Sequence, residues 1–281
     1  MDAFVFVAVL FAAACHAGWN TAIKLATDTI STTSLIATGA GVVAVAVLPF
    51  VGLPRPAAWP WVIASLAVHL LYFIGLSESY RVGDLGQVYP IARGSAPLLT
   101  AALSAPLIGE PLGLLAWSGI FALVAGIFLL SVRGGRELAR FDRHATALAL
   151  FTAMTICGYS LVDGVGARLA GGANAYTASL FLGNAVALAA YGIARRGTGA
   201  FTTLAVHWKV GLAGGALQLL AYGIAIWAMT VAPIAIVAAL RETSVLFGSV
   251  LAVIVLKEPL RALRIAAALM ISGGLVLIRL S

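Results

Sequence analysis

The sequence predicts an all-α integral membrane protein in which ten transmembrane helices form two inverted five-helix repeats around a central cavity. The prediction rests on an apolar composition, on ten apolar runs, and on a set of residues that recurs 148 positions later. The 281 residues are 62% hydrophobic and 10% charged, with a mean hydropathy of +1.06. A soluble domain has about 45–50% apolar and about 25% charged residues, so this composition excludes a soluble globule.

Apolar runs bounded by Pro, Gly and charged residues define the helices, since about 20 apolar residues are needed to cross a bilayer. The first run has no basic segment before it, so we expect a membrane helix there and no cleaved signal peptide. The predicted helices are residues 3–26, 33–51, 58–80, 85–106, 112–132, 145–168, 174–194, 208–229, 233–255 and 260–280.

An internal duplication divides these helices into two sets of five. We therefore expect a first repeat over 1–132, a cytoplasmic connecting loop over 133–144 and a second repeat over 145–281. Because five is odd, the second repeat enters the membrane from the opposite face, as in many secondary transporters with inverted repeats. The residues that recur are Arg93 and Arg241, Glu110-Pro111 and Glu258-Pro259, and Gly126 and Gly274.

Basic residues are divided unequally between the two faces of this arrangement. The connections after the first, third, fifth, seventh and ninth helices carry twelve Lys and Arg residues, whereas the opposite face carries Arg55, Arg168 and Arg279. Cytoplasmic connections are enriched in Lys and Arg, so we expect the first face in the cytoplasm and both termini in the periplasm. The net charge of +7 then reflects topology, and we expect no nucleic-acid partner.

Two arginines lie well inside predicted membrane helices, each eight residues from the start of its helix. A charged side chain in the membrane core costs roughly 2.5–3.5 kcal/mol on the mildest scale, so Arg93 and Arg241 require partners, water or a ligand. We expect both to recognise an anionic group in the central cavity. The alternative is that each caps a helix end or locks the bundle through a carboxylate, with Asp163 or Glu242 as the partner of Arg241.

Prolines distinguish the two helices that carry these arginines. Pro90 and Pro97 flank Arg93 and should kink the fourth helix, whereas the ninth helix has Pro233 only at its start. We interpret the Glu-Pro pairs as ordinary helix starts in preference to a gate, because Pro is tolerated at the first helical position and an acid there complements the helix dipole.

Other polar and aromatic residues fall on helix faces at similar depth, where they line the predicted substrate site. Any one of them alone is more commonly a packing residue, but together they offer cations, carboxylates and aromatic faces to an amphipathic organic molecule. With the two arginines, the candidate substrate-binding residues are His16, Trp19, Asn20, His69, Tyr72, Tyr89, Arg93, Tyr159, Asp163, Gln218, Tyr222, Arg241 and Glu242.

Three short motifs stand out: His-Ala-Gly-Trp-Asn at 16–20 followed by Lys24, Gly-Glu-Pro at 109–111 and Lys-Glu-Pro at 257–259. With these motifs the chain resembles the drug/metabolite transporter superfamily, and within it the EamA-type exporters. The resemblance implies alternating-access export across a bacterial inner membrane. It also implies a cavity lined by the first, third, fourth, sixth, eighth and ninth helices, with basic residues of the fourth and ninth helices holding an anionic group.

We therefore expect an exporter or facilitator of neutral, hydrophobic or aromatic amino acids, embedded in the bilayer as a monomer. The alternatives are a carrier of a purine, sugar or organic cation, a membrane-embedded enzyme, and a channel-like scaffold. We expect no enzymatic activity, because no nucleophile and base with sensible spacing occur. We expect no cofactor or metal site either, since Cys15 and Cys157 are isolated within apolar runs.

Overall fold

The chain is a helical membrane protein. A computed structural model describes residues 1–25, 29–83, 85–131, 142–196, 202–255, 257 and 262–281, and every α-helix and 3₁₀ turn is given for these residues alone. Eight helical stretches among them are long and apolar enough to cross a membrane. The helices are α1 (Ala3–Leu25), α2 (Thr29–Val51), α3 (Trp59–Val82), α4 (Leu85–Ile108), α5 (Leu114–Ser131), α6 (Arg143–Leu169), α7 (Ala173–Arg196), α8 (Thr202–Val231), α9 (Ile234–Arg241), α10 (Ser244–Val255) and α11 (Ala262–Leu280).

Most predicted helices correspond to one observed helix with ends shifted by a few residues, and a 3₁₀ turn at Pro56–Ala58 precedes α3. The largest shift at a helix start is in α8, which begins at Thr202 and not at 208. Residues 133–141 of the predicted connecting loop, together with Glu258 and Pro259, lie outside the described residues. The division into two repeats therefore stays a prediction.

The predicted continuous helix over 233–255 is wrong, because it is two helices, α9 and α10. Between them the backbone N–H groups of Glu242 and Thr243 donate to carbonyls only three residues earlier. The Thr243 hydroxyl also donates to the Leu240 carbonyl oxygen over 2.6 Å. Bonds that span three residues tighten the turn as in a 3₁₀ helix, so the α-helix is interrupted directly after Arg241.

Helix α4 is continuous from Leu85 to Ile108 although it contains Pro90, Pro97 and Pro106. Prolines are tolerated in membrane helices when neighbouring groups satisfy the freed carbonyls. The kink that the prolines predict for the fourth helix stays a prediction, whereas an interruption is found in the ninth predicted helix, which has no internal proline.

Both chain termini lie at the same end of the bundle, which we call the terminal end. The Arg279 guanidinium donates to the Met1 carbonyl oxygen over 2.6 Å, which joins the start of α1 to the end of α11. The Arg55 backbone N–H donates to the Ala170 carbonyl oxygen over 3.0 Å, two residues beyond Arg168. These two hydrogen bonds thus join helix ends that were predicted to lie on the same face of the membrane.

Glycines allow α5 and α11 to pack closely. A Cβ atom added at Gly274 would lie 2.6 Å from the Gly119 carbonyl oxygen, and one at Gly126 would lie 2.6 Å from Ile271 Cγ1. Small residues at helix contacts in membranes permit this approach of backbones. Gly126 and Gly274, which match in the sequence repeat, therefore contribute to the same helix contact.

The terminal half of the bundle has a tightly packed apolar interior. All seven residues from Ile234 to Leu240 are buried, and they pack among apolar side chains of α1, α4, α5, α6 and α8. We call residues 234–240 the terminal plug. Beyond the interruption, α10 packs mainly on α1 and is far less enclosed, with Val250 47% and Ile254 69% exposed.

Candidate functional site

Arg93 is the cation of a buried ion pair. Its Nε lies 2.9 Å from Glu242 Oε2, and the two side chains are 11% and 5% exposed. Its Nη2 donates to Ser244 Oγ over 3.1 Å and lies 3.4 Å from His16 Nε2. Arg93 on α4 thus binds both sides of the α9–α10 interruption and contacts α1, and its charge is neutralised by a partner, as burial requires.

Arg241 ends α9 beside this pair and has different surroundings. Its guanidinium carbon lies 4.6 Å from the centre of the Tyr222 ring, within the range of a cation–π contact. The part of the chain that the structure describes contains no carboxylate in an ion pair with Arg241, because Glu242 pairs with Arg93. Neither Asp163 nor Glu242 forms an ion pair with Arg241 in the described part of the chain, although the charge of Glu242 also acts on Arg241.

Asp163 lies in a separate polar cluster and is fully buried. The Tyr176 hydroxyl donates to Asp163 Oδ1 over 2.9 Å, and the Tyr222 hydroxyl donates to Oδ2. Both carboxylate oxygens are therefore engaged by phenols, and Tyr222 links Asp163 to Arg241 through its hydroxyl and its ring face. Tyr176 was not predicted, although it has a similar depth to Asp163 in the hairpin formed by α6 and α7.

Aromatic rings from three helices pack beside these charges. His69 on α3 stacks on Tyr159 on α6 with ring centres 4.4 Å apart, and it meets Tyr222 edge-on at 5.9 Å. Tyr72 meets Tyr159 edge-on at 5.7 Å. The His69 Nδ1 atom is 2.9 Å from the Ser65 carbonyl oxygen, which fixes the ring within its own helix. These predicted residues form one aromatic cluster.

Several predicted residues of α1, α4 and α8 lie at the edge of the charged centre. Trp19 meets His16 edge-on at 5.0 Å, whereas Asn20 is exposed and donates to the His16 carbonyl oxygen over 2.9 Å. Tyr89 lies one helical turn before Arg93 and interacts with it electrostatically. Trp19 Nε1 and Gln218 Oε1 are buried polar atoms without a hydrogen-bond partner among the described residues. Unpaired buried polar atoms of this kind require an explanation, and a bound molecule is one.

A small cavity lies between the two arginines. Its volume is about 10 Å³, enough for about one water molecule. Sequence analysis missed Ser244 and the small residues that leave this space, because alanines in an apolar helix carry no distinguishing signal. Its lining brings together four predicted residues and three alanines: His16, Arg93, Tyr222, Arg241, Ala12, Ala13 and Ala221.

A larger cleft of about 660 Å³ lies outside this centre, between α1, α2, α7 and α8. Its lining is apolar except for Asn174 and Thr177. One wall is the face of α8 that includes Gly223 and Trp227, whereas Tyr222 on the neighbouring face of α8 lines the central cavity. Helix α8 therefore separates the cleft from the charged centre.

Comparison with known proteins shows the fold and nothing further. No family model matches the sequence, and no curated protein matches it. A solved structure described as "Crystal structure of protein" superposes with a TM-score of 0.74 at 18% sequence identity, over 99% of this chain and 96% of the other. The helical arrangement is therefore one that occurs in an experimentally determined structure of similar length.

Proposed function

We propose that this protein is a secondary transporter of small organic solutes that bear a carboxylate, above all neutral, hydrophobic or aromatic amino acids. The observation that carries the proposal is Arg241, a half-buried cation beside a cavity without a carboxylate partner among the described residues. An ionisable group inside a membrane protein indicates a functional site by default. A guanidinium binds a carboxylate through two parallel hydrogen bonds, so an incoming carboxylate supplies the missing counter-charge.

The surrounding groups fit the remaining parts of an amino acid. Trp19 Nε1 is an unpaired donor one turn from His16, and Gln218 Oε1 is an unpaired acceptor one turn from Tyr222. The indole N–H suits a carboxylate oxygen, and the amide oxygen suits an ammonium group. The rings of Tyr72 and Tyr159 offer faces to an apolar or aromatic side chain. Arg93 and Glu242, which neutralise each other, hold the frame of this site.

Ten transmembrane segments in two inverted repeats are the architecture that we propose, with α9 and α10 together forming the ninth. Two sets of helix contacts support it, because each has a counterpart in the other half of the sequence. The contact of α1 with α8 corresponds to that of α6 with α3. The contact of α4 with α6 likewise corresponds to that of α9 and α10 with α1. Reciprocal pairs are what a pseudo-two-fold axis between repeats produces, and transporters with such repeats bind their solute near the axis.

Transport requires the site to open, because a cavity of about 10 Å³ does not admit an amino acid. The interruption between α9 and α10 supports a mechanism in which the two segments move separately. The resemblance to EamA-type exporters of the drug/metabolite transporter superfamily supports alternating access and export. With it we propose a monomer in a bacterial inner membrane with both termini in the periplasm.

Uptake of labelled amino acids into liposomes that contain the purified protein tests this proposal. We expect saturable uptake of Phe, Met or Thr that excess unlabelled substrate blocks, with protein-free liposomes as the control. Dependence of the uptake on a pH gradient would distinguish proton-coupled transport from facilitated diffusion. A folded protein that moves no amino acid contradicts the substrate assignment, and competition among purines, sugars and organic cations would then identify the class of solute.

A further inference from the structure

An ion pair at the terminal end connects the first half of the sequence to the second. Glu110, in the turn between α4 and α5, places Oε1 2.6 Å from Arg168 Nη2 at the end of α6. Glu110 Oε2 accepts a hydrogen bond from the backbone N–H of Ile234 over 2.8 Å. Its position before Pro111 predicts that Glu110 stabilises the start of α5. Instead, Glu110 binds the first N–H group of α9.

Arg168 extends this connection to the end of α8. Its Nε donates to the Met229 carbonyl oxygen over 2.9 Å, and its Nη2 donates to the Ala232 carbonyl oxygen over 3.2 Å. The last carbonyls of a helix lack partners within the helix, and the first N–H groups of the next helix lack them too. Together, Glu110 and Arg168 satisfy groups on both sides of the connection between α8 and α9.

One of the groups that this ion pair binds, the backbone N–H of Ile234, is the first of the terminal plug. The plug runs from Ile234 to Leu240, and Arg241 follows it beside the central cavity. In this conformation the plug fills the bundle between the cavity and the terminal end. The plug therefore lies between a solute at Arg241 and the terminal end.

We propose that the Glu110–Arg168 ion pair is a latch that keeps the pathway closed at the terminal end, and that it breaks when the central site opens to that side. The inference rests on the proposed alternating-access function and identifies the contact that controls one of its two states. Breaking the pair frees the start of α9 from the turn that joins α4 to α5. The plug then separates from α4 and α6, while α10 stays on α1.

The exposure of the latch suits a contact that opens and closes. The Arg168 side chain is 33% exposed and that of Glu110 is 18% exposed, unlike the Arg93–Glu242 pair. Water reaches both latch groups, so their charges are solvated once the pair separates. An ion pair of this kind therefore adds only a modest free energy to the stability of the closed state. Gly109, beside Glu110, has a φ of 71° in the left-handed region, where glycine is favoured and lets the turn change shape.

Thiol accessibility measured on the reconstituted full chain tests the latch. Cys15 and Cys157 are replaced by Ala, Ala221→Cys places a thiol in the cavity lining, and Ser281→Cys places a second thiol at the terminal end. A membrane-impermeant maleimide is added outside the liposomes, and intact-mass spectrometry counts singly and doubly labelled chains. Only chains with the terminal end outward react at position 281, so the doubly labelled fraction reports cavity access from that end.

We expect little double labelling with an intact latch and about three- to fivefold more with Glu110→Gln, the factor that corresponds to the modest free energy of a partly exposed ion pair. Arg168→Gln should give the same increase. Glu78→Gln is the matched control, because it breaks the exposed Arg81–Glu78 pair at the end of α3, opposite the terminal end. Equal double labelling of the Glu110→Gln, Arg168→Gln and control proteins would overturn the latch.

A locked variant tests the latch even where Glu110→Gln fails to fold. In the same background, Glu110→Cys with Arg168→Cys is joined by a short thiol-reactive cross-linker, and loss of double labelling that a reductant reverses is expected. Double labelling that persists after complete cross-linking contradicts the latch. Labelling needs no known solute, so the two proposals can fail separately. If Glu110→Gln opens the cavity but the protein transports nothing, the proposed function is refuted and the latch is still supported.

Discussion

The two helical arms that carry Arg93 and Arg241 correspond in the sequence repeat but differ in structure. Arg93 lies in an unbroken helix and is paired with Glu242 at 2.9 Å. Arg241 ends an eight-residue helix and contacts the Tyr222 ring at 4.6 Å. Positions that match at the 148-residue offset therefore have unequal surroundings: Arg93 is paired with Glu242, whereas Arg241 has no ion-pair partner among the described residues.

Removing the counter-charge of Arg93 should have the largest effect on stability. Glu242→Gln leaves a buried guanidinium without its carboxylate, and breaking a buried pair in this way costs about 3–5 kcal/mol. We expect a large fall in the free energy of unfolding, measured in detergent micelles. Glu78→Gln, in an exposed pair, should change it by no more than about 0.5 kcal/mol. Equal stabilities of the two variants would mean that Arg93 does not depend on Glu242.

Removing one phenol from Asp163 should have a smaller effect and sharpens the assignment of Arg241. Tyr176→Phe deletes the hydroxyl that donates to Asp163 Oδ1, and leaving a buried acceptor unpaired costs about 1–3 kcal/mol. We expect this loss in unfolding experiments without a change in solute affinity. A changed affinity would instead mean that Asp163 communicates with the bound solute.

The two arms also predict opposite effects for the same glycine substitution. A Cβ at Gly94, beside Arg93, would lie 2.7 Å from Phe128 Cε2, whereas one at Gly248 in α10 has nothing within 4 Å. Gly94→Ala should lower the free energy of unfolding by about 1 kcal/mol, because the site is overpacked. Gly248→Ala should raise it by about 0.5–1 kcal/mol, because alanine favours the helix. Thermal unfolding that gives both changes the same sign contradicts the difference in packing.

Most helices were predictable because a membrane span has a required length and composition, which the apolar runs display directly. The interruption after Arg241 was not, since no Pro or Gly marks it. Its cause is tertiary: Glu242 and Ser244 turn towards Arg93 on another helix. The role of Glu110 was missed for a similar reason, because its partners follow it by 58 and 124 residues in the sequence.

The charged centre was predictable from two arginines inside apolar runs, but their partners were not. Arg241 and Glu242 are adjacent in sequence, and adjacent side chains on a helix do not face each other. Glu242 therefore pairs across the bundle with Arg93, and sequence proximity pointed to the wrong arginine. His69, Tyr72 and Tyr159 were singled out because each lies at a similar depth in its helix, and the structure brings their rings together; that they line a substrate site stays a prediction.

Equilibrium binding of labelled Phe to the purified Arg241→Gln and Arg241→Lys proteins tests the central claim most directly. We expect Arg241→Gln to weaken binding roughly 10- to 100-fold with unfolding unchanged, because a hydrogen bond to a charged group contributes about 1.5–3 kcal/mol. Arg241→Lys keeps the charge but loses the two parallel bonds, so its affinity for Phe should lie between those of Arg241→Gln and the unsubstituted protein. Phe binding to folded Arg241→Gln with the affinity of the unsubstituted protein would contradict the assignment of Arg241 as the cation that meets the solute.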